Sequence, residues 1–271
     1  MSIPTKRSKP LFYKKNASPA LIFAEEAFKK FYHSPEIFFG EEIWGRFLNL
    51  ISLMVPGQCE SHRLLYGEDK NMLIFQYGQT EIEYLKRKDK KLGAAIDRIG
   101  MIRREITPDP FIALVSSIVS QQISNKAART VWNRLAELLG SITPGSIAQV
   151  DLSELQGCGM SQRKAGYIKG IADAAISGRV DFYSLNTLTD DEIIKKLSSL
   201  RGIGVWTAEM LLIFSLCRPD VISYKDLAIC RGMMNLYGLK ELSKEKFERY
   251  KRRYSPYGSV ASLYLWELSV I

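Results

Sequence analysis

The feature that most limits how this chain can fold is a recurring punctuation of helices. From residue 80 onward, N-cap residues and glycine stops bracket one amphipathic or apolar stretch after another. No alternation of apolar and polar residues there lasts long enough for a strand. A charged helix is expected over about 80–99, stopped by Gly100. Asp109-Pro110 opens an apolar helix over 111–122, and Ser124 caps another over 125–139, ended by Gly140. Ser161 caps 162–176, and Thr189 caps 190–199, whose first turn is acidic, as the helix dipole favours. The stretch 205–216 is apolar almost all round and is expected as a buried central helix. Helices over 226–236, 243–254 and 259–270 complete the pattern, so the fold class is mainly α.

Residues 1–79 read as an N-terminal extension of unknown role, ahead of a main domain over 80–271. Pro4, Pro10 and Pro19 punctuate its start, and two amphipathic helical stretches follow near 19–32 and 41–55. Pro56-Gly57 ends the second, and a short strand-like run covers 72–77. The first 24 residues hold five Lys or Arg and no acid. The apolar stretch 20–24 is too short for a signal-peptide core, so this segment reads as a flexible basic tail rather than a transit peptide.

The net charge of +9 favours polyanionic partners, although a merely basic soluble protein would look the same by charge alone. The longest apolar candidate, 210–216, is far short of the roughly 18 residues a membrane span needs, so no membrane partner is expected. Cys59, Cys158, Cys217 and Cys230 are scattered without a CxxC pair, which points to buried or free thiols in a reducing compartment rather than a disulfide framework. The only histidines are His33 and His62, so everything beyond residue 62 must work without imidazole. No metal site is expected, and a histidine triad is excluded from most of the chain.

One segment carries chemistry. Leu200-Arg201-Gly202-Ile203-Gly204-Val205-Trp206-Thr207-Ala208 joins two helices through a Gly-x-Gly turn. Its glycines permit positive φ and close backbone approach. The turn's amides then sit at the N-terminus of the apolar helix, where a phosphate can bind without a charged side chain. An ordinary glycine turn between packed helices is the alternative. Asp226 lies 22 residues beyond Gly204 and begins a new helix, so it can be a plain N-cap, a catalytic carboxylate, or both.

Leu-Arg-Gly-Ile-Gly-Val-Trp-Thr-Ala followed by Tyr224-Lys225-Asp226-Leu227 resembles the helix-hairpin-helix (HhH-GPD) DNA glycosylase superfamily, and within it the 3-methyladenine DNA glycosylase II family. Further segments agree: Pro108-Asp109-Pro110-Phe111 leading into Gln121-Gln122-Ile123-Ser124, then Gly157-Cys158-Gly159-Met160-Ser161, then Pro256-Tyr257-Gly258-Ser259. The resemblance spans about 80–268 and implies a two-lobed helical core. The chain departs from it at Gly258, which stands where Arg is often found, and in lacking a β-rich N-terminal domain.

The resemblance implies that Asp226 is the catalytic residue. Breaking an N-glycosidic bond builds positive charge on the sugar, which a carboxylate in a partly dry pocket stabilises while it orients the attacking water. Bifunctional relatives carry a lysine amine where this chain has Trp206, so simple hydrolysis is implied. Lys225 is a rival amine, but it projects away from its neighbour at a helix start. Alkylated purines are the implied substrate: their cationic bases leave without prior protonation and suit an aromatic wall. Trp206 is the first candidate for that wall, with a core role as its even alternative; Tyr224 is the second, with core or loop packing as its leading alternative. Gly202, Ile203, Gly204 and Thr207 form the DNA-binding hairpin. Gln121 and Gln122 match the segment that fills the gap left by an extruded base, Gln122 being preferred, and either can instead be a helix-end residue facing water. Arg163 and Lys164 are expected to contact phosphates, whereas Lys251-Arg252-Arg253 reads as a basic patch or a solvated face. In related hairpins backbone carbonyls hold a monovalent cation, and no other cofactor is expected. The expected partner is double-stranded DNA containing damaged bases, bound by a monomer in the cytoplasm (at the nucleoid in a bacterium). The alternatives are the same fold acting on oxidised or deaminated bases, and a non-enzymatic DNA-binding module.

Overall fold

Helix caps organise the observed architecture as they do the sequence. The computed structural model describes residues 73–270. Asp89, Asp109, Ser124, Ser161, Thr189, Asp226 and Ser243 each accept backbone N–H groups at a helix start. The elements are α1 (Gln79–Lys88), α2 (Lys90–Ile99), α3 (Pro110–Ser120), α4 (Asn125–Leu139), α5 (Pro144–Gln149), α6 (Leu152–Gly157) and α7 (Gln162–Ile176). After a 3-10 turn come α8 (Asp190–Ser198), α9 (Val205–Phe214), α10 (Leu227–Tyr237), α11 (Lys244–Tyr254) and α12 (Gly258–Leu268). Among the described residues the β pairing is one antiparallel bridge, Ile74 with Glu105.

Packing divides these helices into two lobes. α3 packs on α4, α7 and α9; α7 also gathers α5 and α6; α8 packs on α9. The second lobe joins both ends of the described chain: α10 lies along α12, with α2 against both and α11 against α1 and α12. The fold is mainly α and two-lobed, as expected.

Several expectations need correction. The stretch 80–99 is two helices, because the Asp89 carboxylate turns inward and accepts the N–H groups of Lys91 and Leu92, restarting the helix. That carboxylate also accepts from the Tyr237 hydroxyl and, at 2.5 Å, from Arg253, which ties α10 and α11 to the break. Arg253 is therefore committed to an ion pair rather than to a free basic patch. The first turn of α9 is exposed, with Val205 at 41% and Trp206 at 45%. The helix buried along most of its length is α12, from Gly258 through Leu265.

The boundary at 79/80 falls too late. Phe75 N–H donates to the Arg104 carbonyl, Ile106 N–H to that of Leu73, and the Tyr77 hydroxyl to that of Ile102, so 73–78 belong to the helical body. The two N-terminal helices, most of the 1–79 extension, Cys59 and both histidines lie outside the described residues.

Candidate active site

The Gly-x-Gly turn joins α8 to α9, and its shape follows from three contacts. Gly202 has φ +88, and a Cβ there would lie 2.3 Å from the Tyr167 ring on α7, so only glycine fits. Ile203 is buried, anchoring the turn. The Gln121 side-chain amide donates to the Gly202 carbonyl at 3.0 Å, bracing the turn against the end of α3.

Gly204 is the N-cap of α9 and offers no side chain to its open amides. An α-helix leaves its first N–H groups without internal partners, and the partial positive charge gathered there suits a phosphate oxygen. Beside the turn lies an open hollow of about 520 Å³ lined by Gln162, Arg163, Gly166, Tyr167, Arg201 and Gly202. Arg163 and Arg201 are both exposed at its rim. Arg201 was not singled out from the sequence, although it stands inside the turn motif itself.

Asp226 is the N-cap of α10, in the other lobe. Its Oδ1 accepts the N–H groups of Ala228 and Ile229, both at 2.9 Å. Its Oδ2 accepts the Trp206 indole N–H at 2.8 Å. The residue is 6% exposed, yet no cation pairs with it among the described residues. Thus a buried carboxylate from one lobe meets an indole from the first turn of α9 in the other.

The loop that carries Asp226 is held by α12. The Ser259 hydroxyl donates to the Arg218 carbonyl and accepts Val221 N–H, and the Ser262 hydroxyl donates to the Val221 carbonyl. Gly258 N–H donates to Asp220 at 3.0 Å, and a Cβ there would meet that carboxylate at 2.7 Å. This accounts for glycine at a position where Arg is often found: a long side chain has no room.

A second hollow, of about 230 Å³, lies between α3 and α9. Ser116, Ser117 and Ser120 line it from α3, and Thr207, Met210 and Phe214 from α9. Met210 is one helical turn beyond Trp206, on the same face. No charged side chain lines this hollow, and the buried Ser215 hydroxyl at its edge has no hydrogen-bond partner. Neither hollow is lined by Asp226, whose Oδ2 is covered by the indole.

The remaining candidates divide. Gln122 is exposed at the end of α3, with φ +57, and Ile123 beside it is also exposed. Gln121 is taken up by the hairpin and is not free to intercalate. Lys164 is not a free phosphate contact either: its ammonium caps α3, donating to the Val119 and Gln121 carbonyls at 2.8 and 2.6 Å. Burial lowers its pKa, with Arg163 adding to the effect. Thr207 is buried and faces the uncharged hollow rather than the hairpin surface. Tyr224 packs edge-on against Phe247 at 5.0 Å, so the packing role accounts for it and the base-wall role does not.

Comparison with known proteins agrees with this geometry. Residues 115–256 match the family described as HhH-GPD superfamily base excision DNA repair protein. The chain belongs to this superfamily. DNA-3-methyladenine glycosylase 1 of Schizosaccharomyces pombe is 31% identical over 210 residues, covering 74% of this chain and 92% of that protein. The crystal structure of a DNA-3-methyladenine glycosidase from Bacillus halodurans superposes with a TM-score of 0.67 at 37% identity, covering 73% of this chain and 93% of that one. A 3-methyladenine DNA glycosylase of S. pombe in complex with abasic DNA gives 0.62 at 32% identity, covering 71% and 98%. The matched span contains both the Gly-x-Gly turn and Asp226.

Proposed function

We propose that the chain is a monofunctional DNA glycosylase that hydrolyses the N-glycosidic bond of alkylated purines, 3-methyladenine and 7-methylguanine, in base excision repair. The observation that carries this reading is the Trp206–Asp226 contact. The buried carboxylate accepts from an indole in the first turn of α9, the helix whose opening amides have no side-chain cap. A grip on the backbone and an acid for the sugar are thereby joined through a single helical turn.

The chemistry follows. The bond from the sugar carbon to the base nitrogen breaks, and its electron pair leaves with the base. A cationic methylated purine departs neutral, so no acid is needed on that side. The uncharged, hydroxyl-lined hollow between α3 and α9 supports this choice of substrate: it offers no group to protonate a neutral leaving base. Asp226 stabilises the positive charge that develops on the sugar. Water adds to that carbon and loses its proton toward the carboxylate. Trp206 has no amine, which favours hydrolysis to an abasic site over strand cleavage.

A base reaches such a pocket only by leaving the duplex, and exposed Gln122 is the residue proposed to fill the gap. A monovalent cation at the turn would rest on its carbonyl oxygens. Those of Leu200 and Gly202 each accept one hydrogen bond and keep a lone pair that would be available to such an ion. The partner is double-stranded DNA bound by a monomer, in the cytoplasm. Incubation with N-methylated duplex DNA should release 3-methyladenine and 7-methylguanine. Release confined to deaminated or oxidised bases in a single-lesion panel would overturn the substrate; tight abasic-site binding with no release from any lesion would overturn the activity.

A further inference from the structure

α9 contains one charged residue, Glu209, in an otherwise uncharged ten-residue helix. It lies three positions beyond Trp206 and so shares its helix face. The Ser223 hydroxyl, fully buried, donates to Glu209 Oε2 at 2.5 Å. The same hydroxyl accepts Lys225 N–H at 3.2 Å, and the Ser223 carbonyl accepts Asp226 N–H at 3.4 Å. α9 therefore grips the turn 223–226 at both ends: Glu209 holds Ser223 and Trp206 holds Asp226.

Such a placement is energetically unfavourable in itself. Burial pushes the Glu209 pKa up; the Ser223 hydrogen bond and Lys251 oppose this, nearby Asp226 pushes it further up, and Lys225 also pulls it down. A second acid half-buried near Asp226 calls for a role. We propose that Glu209 is a positioning residue for Asp226: by pinning Ser223 it fixes the turn that presents the Asp226 carboxylate to the sugar. Glu209 touches no reacting atom; it acts through the turn. The inference rests on Asp226 being the acid of the proposed reaction.

The test is single-turnover base release from methylated duplex, measured beside affinity for an abasic-site duplex and thermal stability. Misplacing a catalytic group by a fraction of an ångström to an ångström costs up to about a hundredfold in rate. Glu209→Ala should slow release by about ten- to a hundredfold while abasic-duplex affinity stays within about twofold. Glu209→Gln keeps an oxygen that accepts from Ser223, and should recover most of the rate. Ser223→Ala disturbs the core less and should reproduce the slowing even where Glu209→Ala folds poorly. The double variant should be no slower than the slower single. Wild-type release by Ser223→Ala and Glu209→Ala would overturn the inference. So would a Glu209→Gln as slow as the alanine variant, which would mean the charge matters and the pin does not. Loss of affinity or stability in proportion to rate in both Ser223→Ala and Glu209→Ala would also overturn it. Asp226→Asn is run in parallel: if it releases base normally, the proposed chemistry itself has failed, and that failure is separate from this one.

Discussion

Three N–H groups converge on the two oxygens of Asp226: those of Ala228 and Ile229 on Oδ1, and the Trp206 indole on Oδ2. Asparagine has one acceptor oxygen and a donor NH₂ in place of the other. In Asp226→Asn it must therefore either cap α10 or accept the indole, and its amide then meets a second donor. Asn is as good an N-cap as Asp, and capping is worth about 1 kcal/mol, so the fold should change in stability by no more than roughly that amount. The developing sugar charge, however, loses its counter-charge. Removing one preorganised electrostatic partner typically costs about 10²–10³ in rate. Asp226→Asn should lower single-turnover release at least that far while its urea midpoint stays close to wild type; release within tenfold of wild type would remove Asp226 from the chemistry. Asp226 and Trp206 were legible in the sequence because the turn motif and its following acid lie within one short stretch. Glu209 lies outside that motif's chemistry, and its one sequence signal is a lone charge in an apolar helix.

At the scale of helices, the break between α1 and α2 depends on one acid whose partners are remote. Burial pushes the Asp89 pKa up, but hydrogen bonds from Tyr237, the Leu92 N–H and Arg253 outweigh it and hold the carboxyl below its ordinary value. A depressed carboxyl contributes stability that is fully present above the unfolded value, near 4, and is lost as pH falls through the folded value. Asp89→Asn should therefore lower the urea midpoint at neutral pH and flatten its decline below about pH 4; an unchanged acid profile would show that the network contributes nothing. Lys164 makes a parallel case. Lys164→Met keeps the apolar stem but removes two charge-assisted bonds to the end of α3, and should cost about 1–3 kcal/mol in chemical denaturation. Stability within error of wild type would count against that role. Neither effect was legible in the sequence, because Asp89 and Lys164 stand in charged stretches that read as surface. Their partners are 148 and 164 residues away for Asp89, and 43 and 45 for Lys164. The six-residue helices α5 and α6 escaped for another reason: so short a segment shows no periodicity. The longer helices were legible because their caps are local, and the seven capping side chains that close them are polar residues at the helix starts.

Across the whole molecule, the grip and the acid sit on different lobes, and the chain between them, 215–226, is held by α12. The turn amides of α9 and the hollow with Arg163 and Arg201 belong to the lobe built from α3 to α9, so backbone binding should be separable from chemistry. The net charge of +9 by itself says only that a polyanion is favoured; the proposed reading puts it at the two exposed arginines beside the turn. On B-form DNA each phosphate neutralised contributes about 0.9 to the slope of log affinity against log salt. Arg163→Ala with Arg201→Ala should therefore reduce that slope by about 2 and weaken damaged and undamaged duplexes alike, since a phosphate contact carries no sequence information. Lys164→Met should leave the slope unchanged, because its ammonium is spent on α3 carbonyls. Fluorescence anisotropy with an abasic duplex between about 50 and 200 mM salt separates the two. A slope that falls for Lys164→Met but not for the arginine pair would move the phosphate track away from the turn, to the opposite assignment from the one these contacts dictate.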